Sequence, residues 1–241
     1  MAKDYETMTL VNHLEELRHR ILWAVVPVAP AAVFGFTISG RALNFMVQHV
    51  EDLVVIHPAE AFFIHLRLAV WIGLVITSPI TLYQIIAFIS PALSRHEKVG
   101  LAIFLPFGLM LFVAGVAFSF FVIVPYVYRF YMQFTMGSLE AFITVNNYVS
   151  FVTGLLIPFG VTFELPILVS ALTFLGLITP AGLRRNRKFA ILAIFVMSAI
   201  LTPPDIISQT VMSLPLIALF ELSILISVLI SKSGQSKGLQ A

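Results

Sequence analysis

The sequence predicts an all-α polytopic membrane protein. Three observations carry that reading: an apolar composition, apolar runs long enough to cross a bilayer, and basic residues gathered on alternate connections. Of 241 residues, 59% are hydrophobic and 11% are charged, and the mean hydropathy is +1.00. A soluble domain carries about 25% charged residues, so the polar surface here is too small to coat a globule in water. The net charge of +2 is small and forms no dense basic patch, which argues against nucleic acid. Cysteine is absent, so there is no disulfide framework, thiolate metal site or cysteine nucleophile. The first 20 residues are charged up to Arg20, unlike a cleavable signal peptide.

Six transmembrane helices are expected, at residues 21–40, 68–89, 99–124, 149–177, 189–201 and 211–230. A hydrocarbon core of about 30 Å asks for about 20 apolar residues. The fifth run is only about 20 Å long at 1.5 Å per residue, so it must thin the bilayer or lean on its neighbours. The sixth is interrupted by Pro215 and Glu221, which makes helices 5 and 6 both short. Lys3, Arg18, Arg20, Arg95, Lys98, Arg184, Arg185, Arg187, Lys188, Lys232 and Lys237 all fall on one side of this arrangement, against Arg41, Arg67 and Arg129 on the other. The positive-inside rule then places the N- and C-termini in the cytoplasm, which requires an even number of spans.

Pro27, Pro30, Pro79, Pro106, Pro158, Pro166 and Pro215 fall within the spans, and each removes an N–H from the helical ladder. A kinked, concave bundle follows as an expectation. Between Arg41 and Arg67, Leu43, Met46, Val47, Val50 and Val54 recur at helical spacing and suggest an amphipathic helix. Tyr126, Tyr128, Tyr131 and Tyr148 fit an interfacial aromatic belt. These two loops are expected to cap the outer face. Residues 1–241 read as one domain, with a disordered tail from 231.

Leu10, Leu14, Leu17 and Ile21 form an apolar stripe on a helix leading into the first span, with Glu15, Glu16, Arg18 and His19 on its polar face. Glu16 has an i,i+4 partner in Arg20, worth a few tenths of a kcal/mol, about 0.2–0.5. Ser94 and Glu97 have capping-box spacing for the third span. Such a carboxylate can still offer its second oxygen to a ligand.

Glu164 lies near the middle of the fourth span and Glu221 within the sixth. Such acids cost about 2.5–3.5 kcal/mol at the bilayer centre and face a partner or a wet cavity. Glu164 reads either as a polar site or as a structural hydrogen bond near Pro158 or Pro166. Asp205 can cap the sixth span, with Gln209 one turn later, or both can meet a partner helix. The histidines show no metal-ligand spacing, and no GxSxG or phosphate-binding loop is present. No histidine lies well inside a span, as an intramembrane serine protease would need. No catalytic residue, metal ligand or cofactor site is therefore assigned, and the chain is read as a non-enzyme. A secondary transporter is the alternative, since short helices and a mid-membrane acid are its signals too. Its paired halves are missing, because spans 1–3 do not mirror spans 4–6.

Several motifs, in order, resemble those of the TatC family of twin-arginine protein export. His13-Leu14-Glu15-Glu16-Leu17-Arg18-His19-Arg20 is similar to its HLxELRxR signature. Pro58-Ala59-Glu60-Ala61-Phe62 resembles the outer-loop PxExF motif. Tyr83-Gln84, Phe88, Pro91, Leu93 and Glu97 resemble YQxxxFxxPxL…E, with Ile86 where tryptophan is common. Phe159-Gly160-Val161-Thr162-Phe163-Glu164-Leu165-Pro166 resembles FGxxFELP. Pro204-Asp205, Gln209, Pro215-Leu216 and Phe220-Glu221 resemble the last signature, and Arg67 stands where lysine is frequent. The resemblance implies an inner-membrane receptor for twin-arginine signal peptides of folded proteins, driven by the proton gradient. It implies Glu16 and Glu97 as recognition carboxylates, with Arg18, Arg20 and Phe88 near them. Glu164 and Gln84 would form an intramembrane polar site, and Asp205, Gln209 and Glu221 would contact TatA and TatB. Pro58 and Glu60 would mark the outer loop. A homo-oligomer in the active complex is also implied.

Overall fold

The computed structural model describes residues 10–48, 50, 53–89, 95–133, 142–201 and 206–238, with side chains at all of these except 10–13, 89, 95–103, 201, 207, 208 and 232–238. Ten α-helices carry the described chain. Its contacts group into two compact units, one reaching to Leu105 without residues 52–54, the other holding 52–54 and all from Pro106.

In the first unit α1 (Leu10–Val25) and α2 (Val28–Val47) pack on α3 (Pro58–Ile89). The chain turns at Val26–Pro27 because proline supplies no N–H to continue the ladder. Pro30 lies in the first turn of α2, where the backbone N–H has no helical partner in any case. Helices α2 and α3 meet through reciprocal glycines. A methyl on Gly35 would lie 2.6 Å from the Ala69 carbonyl oxygen, and one on Gly73 would lie 2.8 Å from the Ala32 nitrogen. Backbones can approach this closely only where no side chain intervenes. Ser39 and His65 Nδ1, 2.8 Å apart, add a hydrogen bond between the same helices.

The amphipathic helix expected between Arg41 and Arg67 does not form separately. Helix α2 runs on to Val47 and absorbs Leu43 and Met46, and α3 begins at Pro58. Gly40 does not end α2, since it sits mid-helix beside His65. The apolar stripe of α1 also differs from expectation: Leu14 and Ile21 are exposed, whereas Glu16, Leu17, Arg20 and Ala24 are partly covered. Lipid solvates an apolar face, so the polar face is the one that gains from protein cover.

In the second unit, the later part of α4 (Arg95–Phe118) passes through a π-helical turn (Ser119–Ile123) into α5 (Val124–Gln133). The turn immediately precedes Pro125, whose missing N–H disturbs the α-helical ladder one turn back. Strands β1 (Leu53–Val54) and β2 (Ile143–Thr144) pair in parallel, Leu53 with Ile143 and Val54 with Thr144. Thr144 then caps α6 (Val145–Thr162), its hydroxyl accepting from the Asn147 N–H at 3.1 Å. Tyr148, expected in an interfacial belt, is buried and packs edge-on against Tyr128.

Helix α6 stops at Phe163–Glu164, and α7 (Leu165–Phe174) restarts with Pro166 in its first turn. Gly176, with φ of 70°, closes α7, and the Leu177 N–H reaches back to the Leu172 carbonyl at 3.0 Å. The short α8 (Pro180–Arg185) leads into α9 (Arg187–Leu201) and α10 (Ile206–Gly238). Helix α10 packs on α7 and α9, and Thr173 hydrogen-bonds Ser227 across the α7–α10 contact at 2.8 Å. The tail expected to be disordered from 231 is helical to Gly238, since extending an existing helix is far easier than nucleating one. Of the seven span prolines, only Pro27 and Pro166 lie at a break. Pro79, Pro106, Pro158 and Pro215 sit inside continuous helices.

Among the described residues, five stretches are long and apolar enough to cross a membrane: Leu14–Val47, Pro58–Phe88, Phe104–Gln133, Val145–Phe174 and Gln209–Ser231. The remaining expected span corresponds to α9, whose 15 residues extend about 22 Å. Large apolar side chains such as Val33, Met110, Phe121 and Leu229 are exposed, while Ser39, Ser213, Ser223 and Ser227 are buried. That inversion is the expected surface of a protein solvated by lipid.

The glycine contact yields a test. Gly73→Ala should destabilise the protein by about 1–3 kcal/mol through overpacking against α2, read as a lower unfolding midpoint in detergent. Gly154→Ala, whose methyl would meet no atom within 4 Å, should leave the midpoint nearly unchanged.

Candidate functional site

The polar face of α1 builds a groove against α3. Residues Glu16, Arg20 and Trp23 lie along successive turns of α1, and the covered side of that helix brings Arg20 to Gln84 of α3. Arg20 Nη2 donates to Glu16 Oε1 at 3.1 Å, and Arg20 Nη1 donates to Gln84 Oε1 at 3.2 Å. Glu16 Oε2 is buried and has no partner among the described residues. Trp23 Nε1 donates to His19 Nε2 at 2.7 Å and fixes the indole beside the carboxylate. The resulting open groove, about 650 Å³, is lined by Glu15, Glu16, His19, Arg20, Trp23 and Gln84.

A carboxylate that keeps an unpaired oxygen has hydrogen-bonding capacity left for a further cation, provided its present cover moves aside. Guanidinium suits it, because its fork of donors matches the two oxygens. Among the described residues no three His, Asp or Glu side chains cluster as a metal site.

The other residues singled out in the sequence fall as follows. Arg18 is exposed on α1, away from the helix face that covers Glu16. Phe88 is half-buried one turn after Gln84 on α3. Glu97 lies in the first turn of α4, but its side chain, and Ser94 as its capping partner, are outside the described residues. Asp205 is also outside them. Pro58 opens α3, and Glu60 Oε2 accepts from the Ile56 N–H at 3.0 Å, so this outer-loop pair terminates a helix. Gln84, grouped in the sequence with Glu164, binds Arg20. Trp23 was missed as a groove residue, although its i,i+4 spacing from His19 was available in the sequence.

Glu164 stands at the α6–α7 break. Its Oε1 is buried without a partner among the described residues, and a methyl on Gly108 would lie 2.9 Å from Oε2. Thr162 Oγ1 donates to the Pro158 carbonyl at 2.7 Å, a back-bond one turn earlier in α6. Gln209 Nε2 donates to the Phe195 carbonyl at 2.9 Å, and Arg187 pairs with Glu221. Both contacts join α9 to α10, one at each end of the hairpin.

Fold and groove together define a multi-pass helical membrane protein with a carboxylate-bearing polar groove at the junction of two of its helices. Residues 12–215 match the family model described as Sec-independent protein translocase protein (TatC). The chain is 39% identical over 238 residues to the Sec-independent protein translocase protein TatC of Carboxydothermus hydrogenoformans, covering 95% of this chain and 98% of that one. It is 37% identical to TatC of Helicobacter pylori strain J99, covering 92% and 90%. A crystal structure of the twin-arginine translocase receptor TatC superposes with a TM-score of 0.81 at 32% identity, covering 91% of this chain and 99% of that one. The chain belongs to the TatC family. It is a multi-pass core subunit of the twin-arginine translocase in the bacterial cytoplasmic membrane.

The α9–α10 contacts yield a second test. Arg187→Glu or Glu221→Arg alone should lower the unfolding midpoint by the equivalent of at most about 1 kcal/mol, because the pair is substantially exposed. The double reversal should recover most of that loss.

Proposed function

We propose that this chain is the receptor for twin-arginine signal peptides of folded precursor proteins, with Glu16 and Glu97 receiving the two arginines. The observation that carries this reading is Glu16: a partly covered carboxylate that lines a groove wide enough to admit a side chain, with one oxygen on Arg20 and the other enclosed without a partner among the described residues. Glu97 belongs to the reading through the family motif and its place in the first turn of α4. Arg18 and Phe88 flank the same region in sequence. The distribution of basic residues supports cytoplasmic termini, and α9 then serves as a short sixth crossing.

Glu164, partly buried beside Gly108 with Oε1 unpartnered among the described residues, serves in this reading as the polar point met by the bound signal peptide within the membrane. The short α9–α10 hairpin serves as the docking face for the single-span partners TatA and TatB, with Gln209 and Glu221 at its polar contacts and Asp205 included through the family motif. Exposed Leu192, Val196 and Ile200 on α9 support that role, since they offer an apolar face to a partner helix. Pro58 and Glu60 set the start of α3 at the outer loop. Transport is powered by the proton gradient and needs no cofactor, and the active complex holds several copies of this chain.

A detergent-solubilised sample tests the reading. An Arg-Arg signal peptide should bind, and its Lys-Lys counterpart should bind at least about tenfold more weakly, since lysine cannot make the fork contact. Glu16→Gln and Glu97→Gln should each weaken Arg-Arg binding about tenfold, consistent with loss of one charge-assisted contact. Equal binding of the two peptides would remove the receptor assignment.

A further inference from the structure

We infer that Arg20 is a built-in competitor, whose guanidinium occupies Glu16 in the unliganded protein and is displaced by an arginine of the incoming peptide. The inference rests on the reading of Glu16 as a recognition carboxylate. Three geometric facts lead to it. Arg20 already makes the contact that a peptide arginine would make, Nη2 to Glu16 Oε1 at 3.1 Å. That contact uses one oxygen only, and Oε2 is enclosed without a partner among the described residues. The second guanidinium nitrogen rests on Gln84 Oε1 at 3.2 Å, so Arg20 has a second holding point.

The one-sided contact follows from the helix. Residues four apart lie one above the other on the same face, so Arg20 approaches Glu16 along the α1 axis. A guanidinium arriving through the open groove has no such tether and, once Arg20 withdraws, can align its fork of donors with the carboxylate. Glu15 and His19 also line the groove, on the same helix, and Gln84 is the lining residue contributed by α3. The incoming cation thus replaces a cation and does not meet a bare acid. In the resting state Arg20 limits the cost of leaving Glu16 uncompensated within the covered groove.

A competitor lowers the apparent affinity of every cationic ligand by the same factor, because each must bind the fraction of protein with Glu16 vacant. It therefore weakens binding without setting the preference for arginine over lysine, which comes from carboxylate geometry. It also flattens the salt dependence, since one ion pair is lost for each one gained. A residue that merely held α1 in place would have neither signature.

The test uses the full chain in detergent with fluorescent Arg-Arg and Lys-Lys peptides. Arg20→Gln should tighten both about fivefold, leave their ratio unchanged, and steepen the salt dependence of binding. Without peptide its unfolding midpoint should drop, and saturating Arg-Arg peptide should recover it. Unchanged or weaker affinity, or a shift in the Arg-Arg to Lys-Lys ratio, would overturn the inference. If Arg20→Gln does not fold, Gln84→Ala serves instead. It removes the second holding point and should tighten both peptides by a smaller common factor; no change or a loss would again overturn the inference. Failure of the unmodified protein to distinguish the two peptides is a different result, and it removes the receptor reading itself.

Discussion

Lipid offers no hydrogen bonds, so every polar side chain carried into this protein must find its partner within the protein, in another chain or in trapped water. That constraint orders the described structure. Apolar stripes such as Leu14 and Ile21 are left facing outward, while the Glu16 and Arg20 face of α1 is turned onto α3. The same rule buries the serines. Ser223 back-bonds to the Leu219 carbonyl within α10, and Thr173 and Ser227 satisfy each other between α7 and α10. Where a buried oxygen is left over, as at Ser119, Glu16 and Glu164, the protein holds a polar group that its own described residues do not saturate. Structural acids elsewhere are saturated: Glu60 caps a helix and Glu221 meets Arg187. The difference between satisfied and open carboxylates separates framework from candidate recognition sites.

Much of the fold was legible because composition and run length report lipid exposure directly. The helical spans and the short α9 followed from counting, whereas the break at Pro27 falls inside the single first span expected at 21–40. Boundaries were less legible. Helix α2 passes its expected end: Gly40, a residue that often closes helices, sits mid-helix at ordinary contact distance from His65. Helix α10 continues beyond 230 because polar residues do not stop a helix that is already formed. Four span prolines leave their helices unbroken, since the loss of one N–H is tolerated where the adjoining turns persist.

The candidate site was half legible. The Glu16–Arg20 spacing announced a pair within one helix. Gln84 is 64 positions away from Arg20, and no local pattern brings them together. In the hairpin, a signal existed and was not used. Phe195 with Gln209, and Arg187 with Glu221, both lie nearly symmetrically about Pro203, as partners in an antiparallel helix pair must. The grouping of Gln84 with Glu164 came from their shared polarity, and the structure instead gives Gln84 a role in holding Arg20.

The central claim is that Glu16 touches a guanidinium of the signal peptide. A double-mutant cycle measures that contact directly: Glu16→Gln in the protein against replacement of each arginine by glutamine in the peptide, with binding measured at fixed salt. The account expects one arginine to couple to Glu16 by about 1 kcal/mol or more, and its neighbour to couple much less. Additive losses at both arginines would mean that Glu16 acts at a distance, and the receptor site would have to be sought elsewhere.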